Sequence, residues 1–79
     1  MTPKLPVISG EELIRALGKF GYVRVRQKGS HVRLGHASDP QRKPVTVPLH
    51  PSIARGTLKQ ILRDAQITVE QLISELQKP

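Results

Sequence analysis

The hydrophobic period of this chain changes once, at Gly21, and that change limits the fold more than any other feature. Upstream of it Leu13, Ile14, Leu17 and Phe20 recur at helical spacing, while downstream Val23 and Val25 alternate with Arg24 and Arg26 at the period of a half-buried strand. A helix therefore runs into a sheet. Ser9 and Glu12 form a capping-box signature, with Ile8 placed to staple onto Leu13, so the helix is expected to start at Ser9. Gly21 suits its left-handed end. Gln27 to Ser30 supplies a glycine-containing hairpin loop, after which Val32 and Leu34 alternate with His31 and Arg33. A polar connection from Ala37 to Lys43 follows. Val45, Val47 and Leu49 then alternate with Thr46 and Pro48, and Pro48 suits a sheet edge better than a centre. Thr57 with Gln60 reads as a second capping box ahead of Leu58, Ile61, Leu62 and Ala65. Thr68 with Gln71 reads as a third, stapled by Ile67 and Leu72. The expected architecture is α+β, in the order α-β-β-β-α-α. It is a three-stranded antiparallel meander with helices on one face, in a single domain spanning residues 1–79.

Size and charge narrow the function. A chain of 79 residues buries only about 60% of its unfolded surface, too little for a dinucleotide fold, a barrel enzyme or a deep metabolite cavity. It has no cysteine, which removes disulfides, thiol nucleophiles and thiolate zinc sites. The formal net charge of +7 points to a polyanion, with nucleic acid first. Six of the basic residues (Arg24, Arg26, Lys28, Arg33, Arg42 and Lys43) fall between positions 24 and 43, against Asp39 alone. Phe20 and Tyr22 are too few aromatics for a base-stacking platform, so contact should run through charge and shape. No apolar run approaches a membrane span and the first ten residues do not read as a leader, so a cytoplasmic protein without membrane contact is expected.

Parity nominates a working surface. If Val23, Val25, Val32, Leu34, Val45, Val47 and Leu49 face the helices, the opposite face carries Arg24, Arg26, His31 and Arg33. His50 shares the parity of Thr46 and Pro48. The first hairpin would set Arg24 and Arg26 across from Arg33 and His31, like-charge pairs that a bound anion would explain. The next pairing allows Val32 opposite Leu49, with His31 opposite His50, or a register two residues along that makes the histidines diagonal neighbours. Arginines on a solvated strand often serve solubility alone, and a lone histidine beside a turn is ordinarily a surface or packing residue. Among clustered cations, however, an imidazole is a candidate proton acceptor. His36 is assigned no chemistry. His31, His36 and His50 lack compact metal-binding spacing and acids are scarce, so no metal and no small-molecule cofactor are expected.

Leu5-Pro6, Gly21-Tyr22, Gly29-Ser30-His31, Val47-Pro48-Leu49-His50 and Gly56-Thr57-Leu58-Lys59-Gln60-Ile61-Leu62 together resemble the HicA toxins, also called the YcfA family. The order and spacing of these pieces cover nearly the whole chain. Tyr22 stands where phenylalanine is usual in the family, and Ile53-Ala54-Arg55 differs from its more polar loops. The resemblance implies a fold like the double-stranded-RNA-binding domain. It implies an endoribonuclease that cuts messenger RNA and blocks translation, neutralised by a HicB antitoxin that covers the active site and represses the operon. It places the catalytic histidine at His31, beside Gly29 and Ser30, and a second histidine at His50. Expected RNA contacts are Arg24, Arg26, Lys28, Gly29, Ser30, Arg33, Thr57 and Lys59. Two other readings stand beside this one: a non-catalytic module that binds double-stranded RNA by shape, and a basic subunit that only docks an acidic protein.

Overall fold

Ser9 opens the first helix as its spacing to Glu12 requires. In the computed structural model, which describes residues 4–78, the ends of the expected 1–79 domain lie outside the described residues. Helix α1 (Gly10–Gly18) is capped on its N-terminal side by Ser9. The Ser9 hydroxyl accepts from the Glu12 N–H at 3.1 Å, and the Glu12 carboxylate accepts from the Ser9 N–H at 2.9 Å. The Ser9 N–H first, and the Ser9 hydroxyl after it, hold the Glu12 carboxyl below its ordinary pKa. The helix closes at Lys19, and Gly21, with φ of 99°, turns the chain into the sheet two residues later.

Strands β1 (Tyr22–Lys28), β2 (His31–His36) and β3 (Val45–Pro48) form one antiparallel sheet in that spatial order, which leaves Pro48 on an edge strand. Val32 pairs with Val47 and Leu34 with Val45, so the register is the one that leaves His31 opposite Pro48 rather than His50. Val32, Leu34, Val45 and Val47 are buried. They meet Leu13 and Leu17 of α1, with α2 (Arg55–Ala65) and α3 (Val69–Leu76) completing one hydrophobic core.

Three expectations are corrected. Val23 and Val25 do not face the helices: they are 50% and 66% exposed, whereas Tyr22 is 3% exposed. Tyr22 is the inward residue of β1 because its ring buries more apolar area than either valine, and its hydroxyl reaches a partner, donating to the Lys43 carbonyl at 2.8 Å. By that parity Arg24 lies opposite buried Leu34, on the helical side, and pairs with Glu11 of α1 at 3.2 Å. A β-bulge between Arg24 and Arg26 then inserts Val25 as an extra residue. Gly35 makes room for it: a Cβ there would lie 3.1 Å from a Val25 methyl.

The second correction concerns α2, which starts before the box expected at Thr57. Its N-cap is Ala54, without a side-chain cap, and Gly56 and Thr57 are the second and third helical residues. Buried Ile53 sets this start, since its N–H donates to the Ile8 carbonyl at 2.9 Å, and the Leu58 N–H closes the first turn on Ala54 at 2.9 Å. Gln60 therefore turns to Asp64, one turn on, at 3.0 Å. The box at Thr68 and Gln71 does form, with bonds of 2.8 and 3.0 Å.

The third concerns the polar connection after β2, which His36 organises. Its Nε2–H donates to the Phe20 carbonyl at 2.8 Å, while Nδ1 accepts from the Asp39 N–H at 3.0 Å and the Ser38 N–H at 3.3 Å. Only a neutral imidazole protonated on Nε2 satisfies all three. Its ring also meets Tyr22 edge to face at 5.2 Å. The residue assigned no chemistry is a structural tie.

Candidate nucleic-acid interface

A two-residue turn at Gly29-Ser30 places His31. Gly29 has φ of 59° and Ser30 does not share a positive φ, the pattern of a type II′ hairpin with glycine first. The turn sets Lys28 directly opposite His31. On the other side the Leu49 N–H donates to the Ser30 carbonyl at 2.7 Å, fixing the end of β3 against the hairpin. His31 is thereby pinned between two strands with an exposed side chain.

Past the bulge, Arg26 lies opposite Arg33 and Lys28 opposite His31, so all four occupy the face away from the helices. Together with Gln27 and Thr46 they line one shallow, open depression. No carboxylate lines it, and among the described residues none of Arg26, Lys28 and Arg33 makes an ion pair. Like charges directly opposed in a sheet cost about 0.2–1 kcal/mol per pair. An anion laid across the strands removes that cost and gains charge-assisted hydrogen bonds. Arg33 and Thr46 also line a second depression that continues over the β3 edge to Gly56 and Thr57 in the first turn of α2, and on to Gln60 and Asp64 further along the helix. The two depressions adjoin at Arg33 and Thr46.

The structure thus brings together Arg26, Lys28, His31 and Arg33, with Gly29 and Ser30 as their turn and Thr57 further along. It does not bring in Arg24, which sits on the helical side with Glu11. His50 lies past the end of β3, exposed, with its carbonyl accepting from the Gly10 N–H at 3.0 Å, and it lines neither depression. Lys59 is exposed on α2 outside both. Among the described residues no three of His, Cys, Asp and Glu gather into a ligand set. Thr46 was missed by sequence reasoning, although its parity already placed it on the same face as Arg33.

A family model described as the HicA toxin of bacterial toxin–antitoxin matches residues 10–67. The chain belongs to the HicA toxin family. No curated protein matches it. The matched span of this HicA chain contains the whole sheet, the Gly29-Ser30-His31 turn and all of α2, and ends before α3. Membership in a toxin–antitoxin family implies an antitoxin partner. The α+β order expected from the hydrophobic periods is the order observed, with an open three-stranded sheet. Among the described residues of the HicA chain, no helix is long and apolar enough to cross a membrane.

Proposed function

We propose that this HicA chain is an endoribonuclease that cuts messenger RNA in the cytoplasm, with His31 as general base. His31 takes the proton of a ribose 2′-hydroxyl, the oxygen attacks the adjacent phosphorus, and the bond to the 5′-oxygen breaks. The leaving oxygen takes a proton from His50 or from water. The products are a 2′,3′-cyclic phosphate and a 5′-hydroxyl. Arg26, Lys28 and Arg33 hold the backbone and offset the charge that builds on the phosphorane oxygens. Thr57 and Lys59 contact RNA further along. The face of β1 and β2 carries the proposed base and the three cations, and the proton for the leaving oxygen comes from outside that face.

The observation that carries the proposal is an exposed histidine set at a hairpin among cations that have no ion-pair partner among the described residues, in a chain of this family. An open face without a pocket suits a long backbone better than a metabolite. The same exposed charge suits a HicB-type antitoxin that covers the site. In excess chelator the wild type is expected to cut RNA, and a folded His31→Ala protein is expected to lose at least about a hundredfold in rate, the lower range for a general base. Intact RNA with the wild type would leave the shape-reading module, and equal cutting by both proteins would assign the chemistry elsewhere.

A further inference from the structure

Among the described residues Arg33 is the only cation that lines both depressions, so it stands where the two adjoin. Across one strand pair it faces Arg26, and across the other it faces Thr46. The Thr46 hydroxyl accepts a hydrogen bond from Arg33 Nη1 at 3.3 Å. That bond draws the guanidinium toward β3 and away from the like charge opposite. A guanidinium has five N–H donors, so one bond to Thr46 leaves four for phosphate oxygens. Its grip on phosphate is planar and bidentate and therefore depends on a fixed orientation. A free arginine on an exposed strand loses rotamer freedom when it meets its ligand, and a side chain already held loses less. Thr46 is suited to hold it, being short and stiff about χ1 on an edge strand.

We propose that Thr46 is a positioning residue: its hydroxyl fixes the Arg33 guanidinium over the join of the two depressions, so that Arg33 meets the phosphate beside His31. The assignment rests on the nuclease function above. Thr46 does not touch the reacting atoms and acts only through Arg33.

The test compares kcat and KM on an RNA with one mapped cut. Thr46→Val keeps shape and strand preference while removing the acceptor, and is expected to lower kcat about five- to tenfold with KM little changed, the pattern of an interaction made in the transition state. Thr46→Ser, which keeps the hydroxyl, is expected to restore wild-type kcat. In an Arg33→Ala background, Thr46→Val is expected to add nothing. Wild-type kcat in Thr46→Val overturns the assignment. So does an undiminished loss in the Arg33→Ala background, which would mean that the hydroxyl meets RNA itself, and so does failure of serine to rescue. A wild type that leaves RNA uncut removes the nuclease reading and this assignment with it. That outcome is told apart from the others by the wild-type reaction alone.

Discussion

Two aromatic rings at the start and end of the first hairpin illustrate how much a single residue settles here. The Tyr22 hydroxyl ties β1 to the connection after β2 through the Lys43 carbonyl at 2.8 Å. His36, against the same ring, ties that connection to the end of α1. Burial pushes the Tyr22 phenol above its ordinary pKa, against a smaller opposing pull from Arg42. The unfolded phenol therefore ionises first as pH rises, near its ordinary pKa of about 10, and the folded state loses stability from there upward. Tyr22→Phe should cost about 1 kcal/mol at pH 7, the ordinary net worth of one hydrogen bond. Denaturant titrations of both proteins should find that gap constant from pH 7 to 9 and narrowing above about pH 10. A gap that widens with pH would contradict the assigned burial. Tyr22 as the inward residue was not legible from the sequence, because the valines beside it matched the strand period equally well and only the competition for core volume decides between them.

At the scale of elements, what could be read in advance was local and what could not was tertiary. The caps at Ser9 and Thr68 depend on residues three apart, and both form as read. Thr57 has the same spacing to Gln60 yet caps nothing, since the anchor of Ile53 to Ile8 fixes an earlier start. Pairing buried with buried narrowed the β2–β3 register to two choices, and contact with the core selects the one that sets Val32 opposite Val47. The bulge did not, because it depends on a glycine in the neighbouring strand that leaves room for Val25. It also explains why Arg24 and Arg26, two apart, end on opposite faces. Deleting Val25 removes the extra residue while Arg24 stays opposite Leu34 and Arg26 opposite Arg33. The shortened protein should fold, with amide NMR changes confined to β1 and its neighbours on β2, and should retain RNA cleavage. Loss of cleavage in a folded deletion variant would show that the face depends on the bulge itself.

For the whole molecule, charge and topology converge on one side of the sheet. The helices cover the other side, where Arg24 is neutralised by Glu11, while Arg26, Lys28 and Arg33 remain without acids on the open face around His31. The cluster of cations between positions 24 and 43 was visible in the sequence, as was His31 beside its glycine turn. Which of those cations share its face was not, because that depends on one inserted residue. His50 is the member of the expected site that the fold sets apart, past the end of β3 and outside both depressions. The central claim is that the substrate itself provides the nucleophile, and the account therefore turns on one hydroxyl of the RNA. The most direct measurement places a single 2′-deoxyribose on the 5′ side of a mapped cut and follows cleavage by the purified wild-type protein in excess chelator. Abolished cutting at that position, with 2′,3′-cyclic phosphate ends on the unsubstituted RNA, is the predicted result; cutting at the normal rate would contradict it.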